Sequence, residues 1–232
     1  MKQRPTELRV GGLTRLSTCD WPGQLAATVF CQGCAWDCPY CHNPGLRPAR
    51  ASARGSVLVS WGSVLAFLSS RRGLLDAVVF SGGEPTLQPA LLEAVEEVRR
   101  LGFRVGLHTA GMNPEPLRQL LLSIDWLGFD VKAPFADYAR ITGVQHSGER
   151  ALASLRHLLA SGVEYEVRTT WHPDLLSLED LYRLKEELRS LGVAHYVIQQ
   201  FRYQGVRPLL PAVSAFPPLF DCSGEFQRFE IR

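Results

Sequence analysis

Nowhere in its 232 residues does this chain carry an apolar run long enough to span a bilayer. Its most apolar stretches, "LLDAVVF" and "GQLAATVF", fall far short of the ~20 residues such a helix needs. The opening "MKQRPTELRV" has no apolar centre of the kind a signal peptide carries, so a cytoplasmic location is expected. A charge excess is missing too. Lys and Arg number 25 against 23 Asp and Glu, a net charge of +2, which gives no electrostatic ground for nucleic acid or a membrane surface as partner. Gly/Ser linkers and low-complexity segments are absent, and one domain over 1–232 is expected. Cysteine is scarce, at six, yet four crowd into "CQGCAWDCPYCHNP", residues 31–44. Clustered thiols in a reducing compartment favour metal binding or catalysis over disulfides.

What is present is a regular alternation. Strands are expected at Gln24–Phe30, Ala77–Phe80, Arg104–Thr109, Trp126–Val131, Glu164–Thr170 and Ala194–Gln200. Helices are expected between them: Trp61–Arg71 capped by Ser60, one opening at Pro89 and ending before Gly102, one capped by Asn113 ahead of Pro114, Glu149–Ala160, and Leu178–Leu191 capped by Ser177. In the second of these, Leu91, Leu92, Val95, Val98 and Leu101 share one face. Strand alternating with helix implies a parallel sheet, and six units suit a partial α/β barrel better than a closed eightfold one. Residues 202–232, with several prolines and no clear period, read as a short irregular C-terminal tail. In such folds ligands sit at the carboxyl ends of strands. The unusual segments fall there: the cysteine cluster, "SGGEPT", "HTAG", "DVKAP", "VRTTW" and "QQFR".

The cysteine spacing is informative. Two C-x2-C pairs only three residues apart are too tight for a zinc knuckle, and the run does not match a ferredoxin. Cys34-x3-Cys38-x2-Cys41 would give a 4Fe–4S cluster three ligands and leave one iron open. A zinc or structural cysteine loop is the alternative. In "SGGEPT" the two glycines let backbone approach a ligand closely and Glu84 adds negative charge, although a Gly-Gly pair often does no more than turn the chain.

The Cys34/Cys38/Cys41 triplet resembles the signature of the radical S-adenosylmethionine (SAM) superfamily. "STCDWPGQLAATVFCQGCAWDCPYCHNPGL", "VVFSGGEPTLQP", "GFDVKAP" and "RTT" narrow the resemblance to activating enzymes of glycyl radical enzymes, over about Leu13 to Phe201. This likeness implies a partial (βα)6 radical SAM barrel. It implies that Cys34, Cys38 and Cys41 hold the 4Fe–4S cluster and that SAM chelates the fourth iron. It implies Gly82, Gly83 and Glu84 at the SAM amino group, Tyr40 beside the adenine, and Thr109, Asp130, Lys132 and Arg168 among the other SAM contacts. Arg168 shares its strand face with Glu166 and Thr170.

The implied activity is reductive cleavage of SAM and removal of a hydrogen atom from a backbone glycine of a separate partner. Anaerobic ribonucleoside-triphosphate reductase is the expected client, and a low-potential electron donor is required. An activator of a pyruvate formate-lyase-like enzyme and a radical SAM enzyme acting on a small molecule are the alternatives; a non-enzymatic Fe–S or zinc module is a remote one. One position departs from the family. "HTAG" puts His108 where activases of this type carry an aspartate that helps bind a monovalent cation, so His108 is left to contact the SAM carboxylate or to pack. Cys31 is expected to be a spare thiol, Cys19 and Cys222 inert buried thiols, His42 and Asn43 turn or cluster-side residues, and His172 a loop residue.

Overall fold

The apolar runs become the middle of one eight-stranded sheet. A computed structural model describes residues 7–49, 58–203, 210–211, 220, 222 and 224–232. Its strands are β1 (Val10–Ser17), β2 (Ala26–Cys31), β3 (Ala77–Gly82), β4 (Arg104–Thr109), β5 (Trp126–Asp130), β6 (Glu164–Trp171), β7 (His195–Gln200) and β8 (Arg228–Ile231). They lie side by side in chain order, β1 antiparallel to β2 and all later pairs parallel. Helices α1 (Trp61–Ser69), α2 (Leu91–Arg100), α3 (Pro114–Leu120), α4 (Tyr138–Thr142), α5 (Ser147–Ser161) and α6 (Leu178–Ser190) fill the crossovers.

All six expected strands are present, with ends displaced by two residues at most. Two strands were not expected. β1 carries Gly11 and Gly12, and β8 reads "RFEI", so neither has the apolar run of a doubly covered strand. β8 also corrects the tail, because residues 228–231 continue the sheet beside β7. Most of the rest of the expected tail lies outside the described residues.

The helix signals explain themselves locally. Ser60 accepts from Ser63 N to cap α1. Ser177 and Asp180 form a reciprocal capping box on α6, satisfying two otherwise orphaned N–H groups. α2 starts at Leu91, two residues after Pro89. Asn113 precedes α3 without capping it through its side chain, which reaches Thr86 Oγ1 at 3.4 Å instead.

The main core lies where the sheet meets the helices, around residues such as Phe80, Leu107, Phe129, Leu155 and Leu184. A second, smaller cluster joins Trp21, Ala26, Ala77, Val79 and Trp126, mostly at the amino ends of the strands. There the Trp21 and Trp126 rings stack at 5.4 Å. Gly106 makes room for them, since a Cβ at that position would come within 2.9 Å of the Trp21 ring. The amino end is thus filled with indole, and polar groups gather at the carboxyl end.

Candidate active site

At the carboxyl ends of the strands lies a cavity of about 580 Å³, within the usual range of small-molecule sites. The carboxyl ends of β3 to β7 and the loops after β1 and β2 all contribute to its wall. Three of the four clustered cysteines, Cys34, Cys38 and Cys41, line it, and Cys31 does not. Cys31 is the last residue of β2 and is fully buried, its carbonyl accepting from Gly83 N at 2.9 Å. All four are free thiols.

The cysteine loop is held in shape by its own neighbours. Gly33 N and Cys34 N donate to Leu46 O and Arg47 O at 2.7 and 2.9 Å. Gln32 Nε2 donates to Gly45 O and Pro48 O, while Arg47 reaches Trp36 O and the Asp37 carboxylate. Asp37 N donates to Thr142 O, tying the loop to α4. Burial above all pushes the Cys34 thiol up to about 12, the Trp36 backbone working against it, and burial likewise raises Cys38. Such thiols hold their protons until a metal displaces them. Three thiols facing one cavity from a braced loop fit a cluster with one open iron better than a structural zinc tetrahedron, which asks for a fourth protein ligand.

"SGGEPT" is stitched to that loop. Gly82 has φ 113°, and a Cβ there would sit 2.4 Å from Cys31 N. At Gly83 a Cβ would sit 2.1 Å from Gly33 O. Both glycines are needed because two backbones pass in contact. Glu84 N donates to Gly33 O at 2.8 Å. The Glu84 side chain is 2% exposed, and its two oxygens accept from Thr86 N, Thr86 Oγ1, Thr109 Oγ1 and Ala110 N at 2.6 to 3.2 Å. Burial raises its pKa and these donors oppose the rise. Glu84 therefore locks the ends of β3 and β4 together, with the Thr109 hydroxyl as part of the lock.

Across the cavity, Asp130 accepts from Arg168 Nε at 2.8 Å and from Lys132 Nζ at 3.2 Å. Burial alone would raise the Asp130 carboxyl; Arg168 and Lys132 outweigh it and hold the group well below the usual carboxylate range. Burial would lower Lys132, and the Asp130 charge raises it instead. The Lys132 ammonium also lies 5.5 Å from the centre of the Tyr40 ring. Tyr40 is 3% exposed, and its hydroxyl has no hydrogen-bond partner among the described residues. Arg168 lies over Gly128, where a Cβ would meet its guanidinium at 2.6 Å. Glu166, Arg168 and Thr170 do share the inner face of β6, Arg168 and Thr170 lining the cavity. Glu166 pairs instead with Arg232, which follows β8.

His108 uses both ring nitrogens inside the protein. Nε2 donates to the Asp20 carbonyl at 2.6 Å, and Nδ1 then accepts from Ser81 Oγ at 3.2 Å. Burial, helped by the Arg168 charge, lowers its pKa to about 4, so the ring is neutral. Cys19 departs from expectation: it is exposed and lines the cavity, because the β1–β2 turn carries it to the rim. Cys222 is buried as expected. A nitrogen of His42 pairs with Arg202 O at 2.9 Å, and Leu46 N donates to Asn43 O. His172 is buried after β6, with Nδ1 accepting from Asp174 N and Nε2 paired to Pro211 O. Asp20, Ser81, Gly128 and Arg232 were not singled out from the sequence. Only Gly128, a glycine inside a strand, carried any signal, that of close approach by another group.

Comparison with known proteins points the same way. A family model described as Radical SAM superfamily matches residues 28–181. A Methanocaldococcus jannaschii protein provisionally named a glycyl-radical enzyme activating enzyme is 33% identical over 199 residues, 83% of this chain and 79% of that one. The pyruvate formate-lyase-activating enzyme of Streptococcus mutans is 28% identical over 222 residues, 87% of this chain and 82% of that enzyme. Among solved structures, QueE from Escherichia coli shares the fold with a TM-score of 0.56 at 15% identity, covering 84% of this chain and 83% of QueE.

Proposed function

The chain belongs to the radical SAM superfamily, and we propose that it is an activating enzyme for a glycyl radical enzyme, with anaerobic ribonucleoside-triphosphate reductase as its client. The observation that carries the reading is the wall of the cavity: Cys34, Cys38 and Cys41 line it and Cys31 is excluded. The relatives from M. jannaschii and S. mutans support the activase class, and the sequence resemblance supports the choice of client. When bound, the 4Fe–4S cluster and SAM supply one-electron chemistry, reductive cleavage of the sulfonium and removal of a hydrogen atom from a glycine.

The chain's own residues bind and orient. Cys34, Cys38 and Cys41 hold the cluster. Gly82, Gly83 and Glu84 face the SAM amino end with Thr109 beside them, all four lining the cavity and the Thr109–Glu84 hydrogen bond fixing their positions. Lys132 and Arg168, fixed in place by Asp130, take the SAM carboxylate in a sheltered site. Tyr40, with an unpartnered hydroxyl, stands beside the adenine. His108, neutral and tethered at both nitrogens, sets the rim where β3, β4 and the Asp20 turn meet.

The test is anaerobic. The reconstituted, reduced protein is mixed with SAM and the candidate reductase, and the mixture is examined by EPR. A glycyl doublet on the reductase is the expected result. SAM cleavage with a silent reductase and a doublet on a pyruvate formate-lyase-type enzyme would reassign the client.

A further inference from the structure

Beside the stacked indoles lies a second cavity, of about 340 Å³, at the end of the sheet opposite the first. The first residues of four strands line it: Trp126 of β5, Glu164 of β6, His195 of β7 and Arg228 of β8. Trp21 and Glu166 join them. Two buried atoms of this wall, Glu166 Oε2 and His195 Nε2, have no hydrogen-bond partner among the described residues. Glu166 is 1% exposed. Its other oxygen accepts from Arg232 and stands 3.8 Å from Arg168, so both of its cations are drawn to Oε1. His195 Nε2 is 3.6 Å from Glu230 Oε1, too far for a hydrogen bond. Burial lowers the His195 pKa, so the ring is neutral and can accept a proton donor. Buried acceptors are costly to leave unpaired, and two in one wall ask for a shared donor. The wall holds two carboxylates, Glu164 and Glu166, against one guanidinium, Arg228, which Glu230 already claims. Glu164 meets Arg104 at 3.5 Å in an exposed pair. No three His, Cys, Asp or Glu side chains among the described residues are grouped as a metal ion would need.

We propose that this amino-end cavity binds a small organic ammonium ion with a short apolar body. A primary ammonium has three donors and no acceptor, as the lysine side chain does. One donor goes to Glu166 Oε2, one to His195 Nε2, and the third to water at the mouth. The indoles, with Pro22 and Val163 beside them, shelter the body of the ligand, the apolar wall with a few placed polar groups that small-molecule sites share. An alcohol of the same shape has one proton to donate and leaves an acceptor unpaired. A carboxylate in its place would face Glu166 as a like charge. The site lies at the opposite end of the strands from the cysteine triplet and goes beyond the activating-enzyme reading.

The test is isothermal titration calorimetry on the reconstituted holoprotein with SAM in excess, so that the carboxyl-end cavity is filled. The probes are phenethylammonium, phenethyl alcohol and hydrocinnamate, which share a ring and differ in charge. Phenethylammonium is expected to bind about tenfold more tightly than the alcohol, and hydrocinnamate not to bind. His195→Phe removes one acceptor and keeps an aromatic ring. It is expected to weaken the amine about fivefold and to leave SAM affinity unchanged, which also shows that the variant is folded. Glu166→Gln is expected to erase the preference for the amine over the alcohol. Absence of amine binding, equal binding of the alcohol, displacement of the amine by SAM, or wild-type amine affinity in His195→Phe overturns the site. Failure of SAM itself to bind strikes the functional reading, and the amine result, located by His195→Phe, is decided independently.

Discussion

Asp130 is the side chain on which most of the site's charge depends. It is 30% exposed, whereas its partner Arg168 is only 7% exposed. Removing the acid leaves a guanidinium whose one remaining carboxylate partner among the described residues is Glu166 at 3.8 Å. Asp130→Asn is expected to cost about 2–3 kcal/mol in urea unfolding, somewhat below a fully buried pair because of the partial exposure. A loss under about 0.5 kcal/mol would mean that the pair is screened like a surface one. Since the folded Asp130 pKa is depressed, its stabilisation is present above the ordinary carboxylate value of about 3.9 and is lost as pH falls further. His108 acts in a different window. Its folded pKa is lowered to about 4, so between pH about 6.5 and 4 the unfolded chain takes up a proton that the folded one refuses. Stability therefore declines as pH falls through that range. His108→Gln is expected to flatten that part of the profile, and an unchanged slope in the variant would show that the ring is not held neutral.

Among the elements, the junction of the cysteine loop with the end of β3 has the least slack. A Cβ at position 83 would meet Gly33 O at 2.1 Å, and because that atom is backbone no rotamer relieves it. Gly83→Ala is expected to dislodge the loop, dropping iron uptake on reconstitution by about tenfold while far-UV circular dichroism keeps the helical signal. Full iron loading in the variant would contradict the close packing. How far the elements could be read from the sequence follows from burial. β3 and β4 were legible because a parallel strand covered on both faces is a plain apolar run, as "AVVF" is. β1 and β8 were hidden because an edge strand with glycines and charges carries no such run. The cysteine triplet and Gly82–Gly83 were visible through spacing and position. The Glu84–Thr86–Thr109 lock, the Asp20–His108–Ser81 link and the bed that Gly128 provides for Arg168 were not, since each joins segments far apart in the chain.

For the molecule as a whole, the sheet separates two ends of opposite character: stacked indoles at the amino ends of the strands and thiols with paired charges at the carboxyl ends. Among the described residues no helix is long and apolar enough to cross a membrane. If the open iron is where SAM binds, SAM should stabilise the cluster-loaded fold and leave the cluster-free fold nearly unchanged. At about 100 times its dissociation constant the gain is about 2.7 kcal/mol, readable as a rise in Tm. An equal rise in the cluster-free protein would place SAM elsewhere. The most direct measurement compares the reconstituted, reduced wild type with Cys31→Ala, Cys34→Ala, Cys38→Ala and Cys41→Ala, quantifying methionine and 5′-deoxyadenosine formed from SAM. Equal amounts of the two products from the wild type and Cys31→Ala, and none from the other three, is the expected result. A fully iron-loaded wild type that leaves SAM intact, or a triplet variant that still cleaves it, would contradict the assignment.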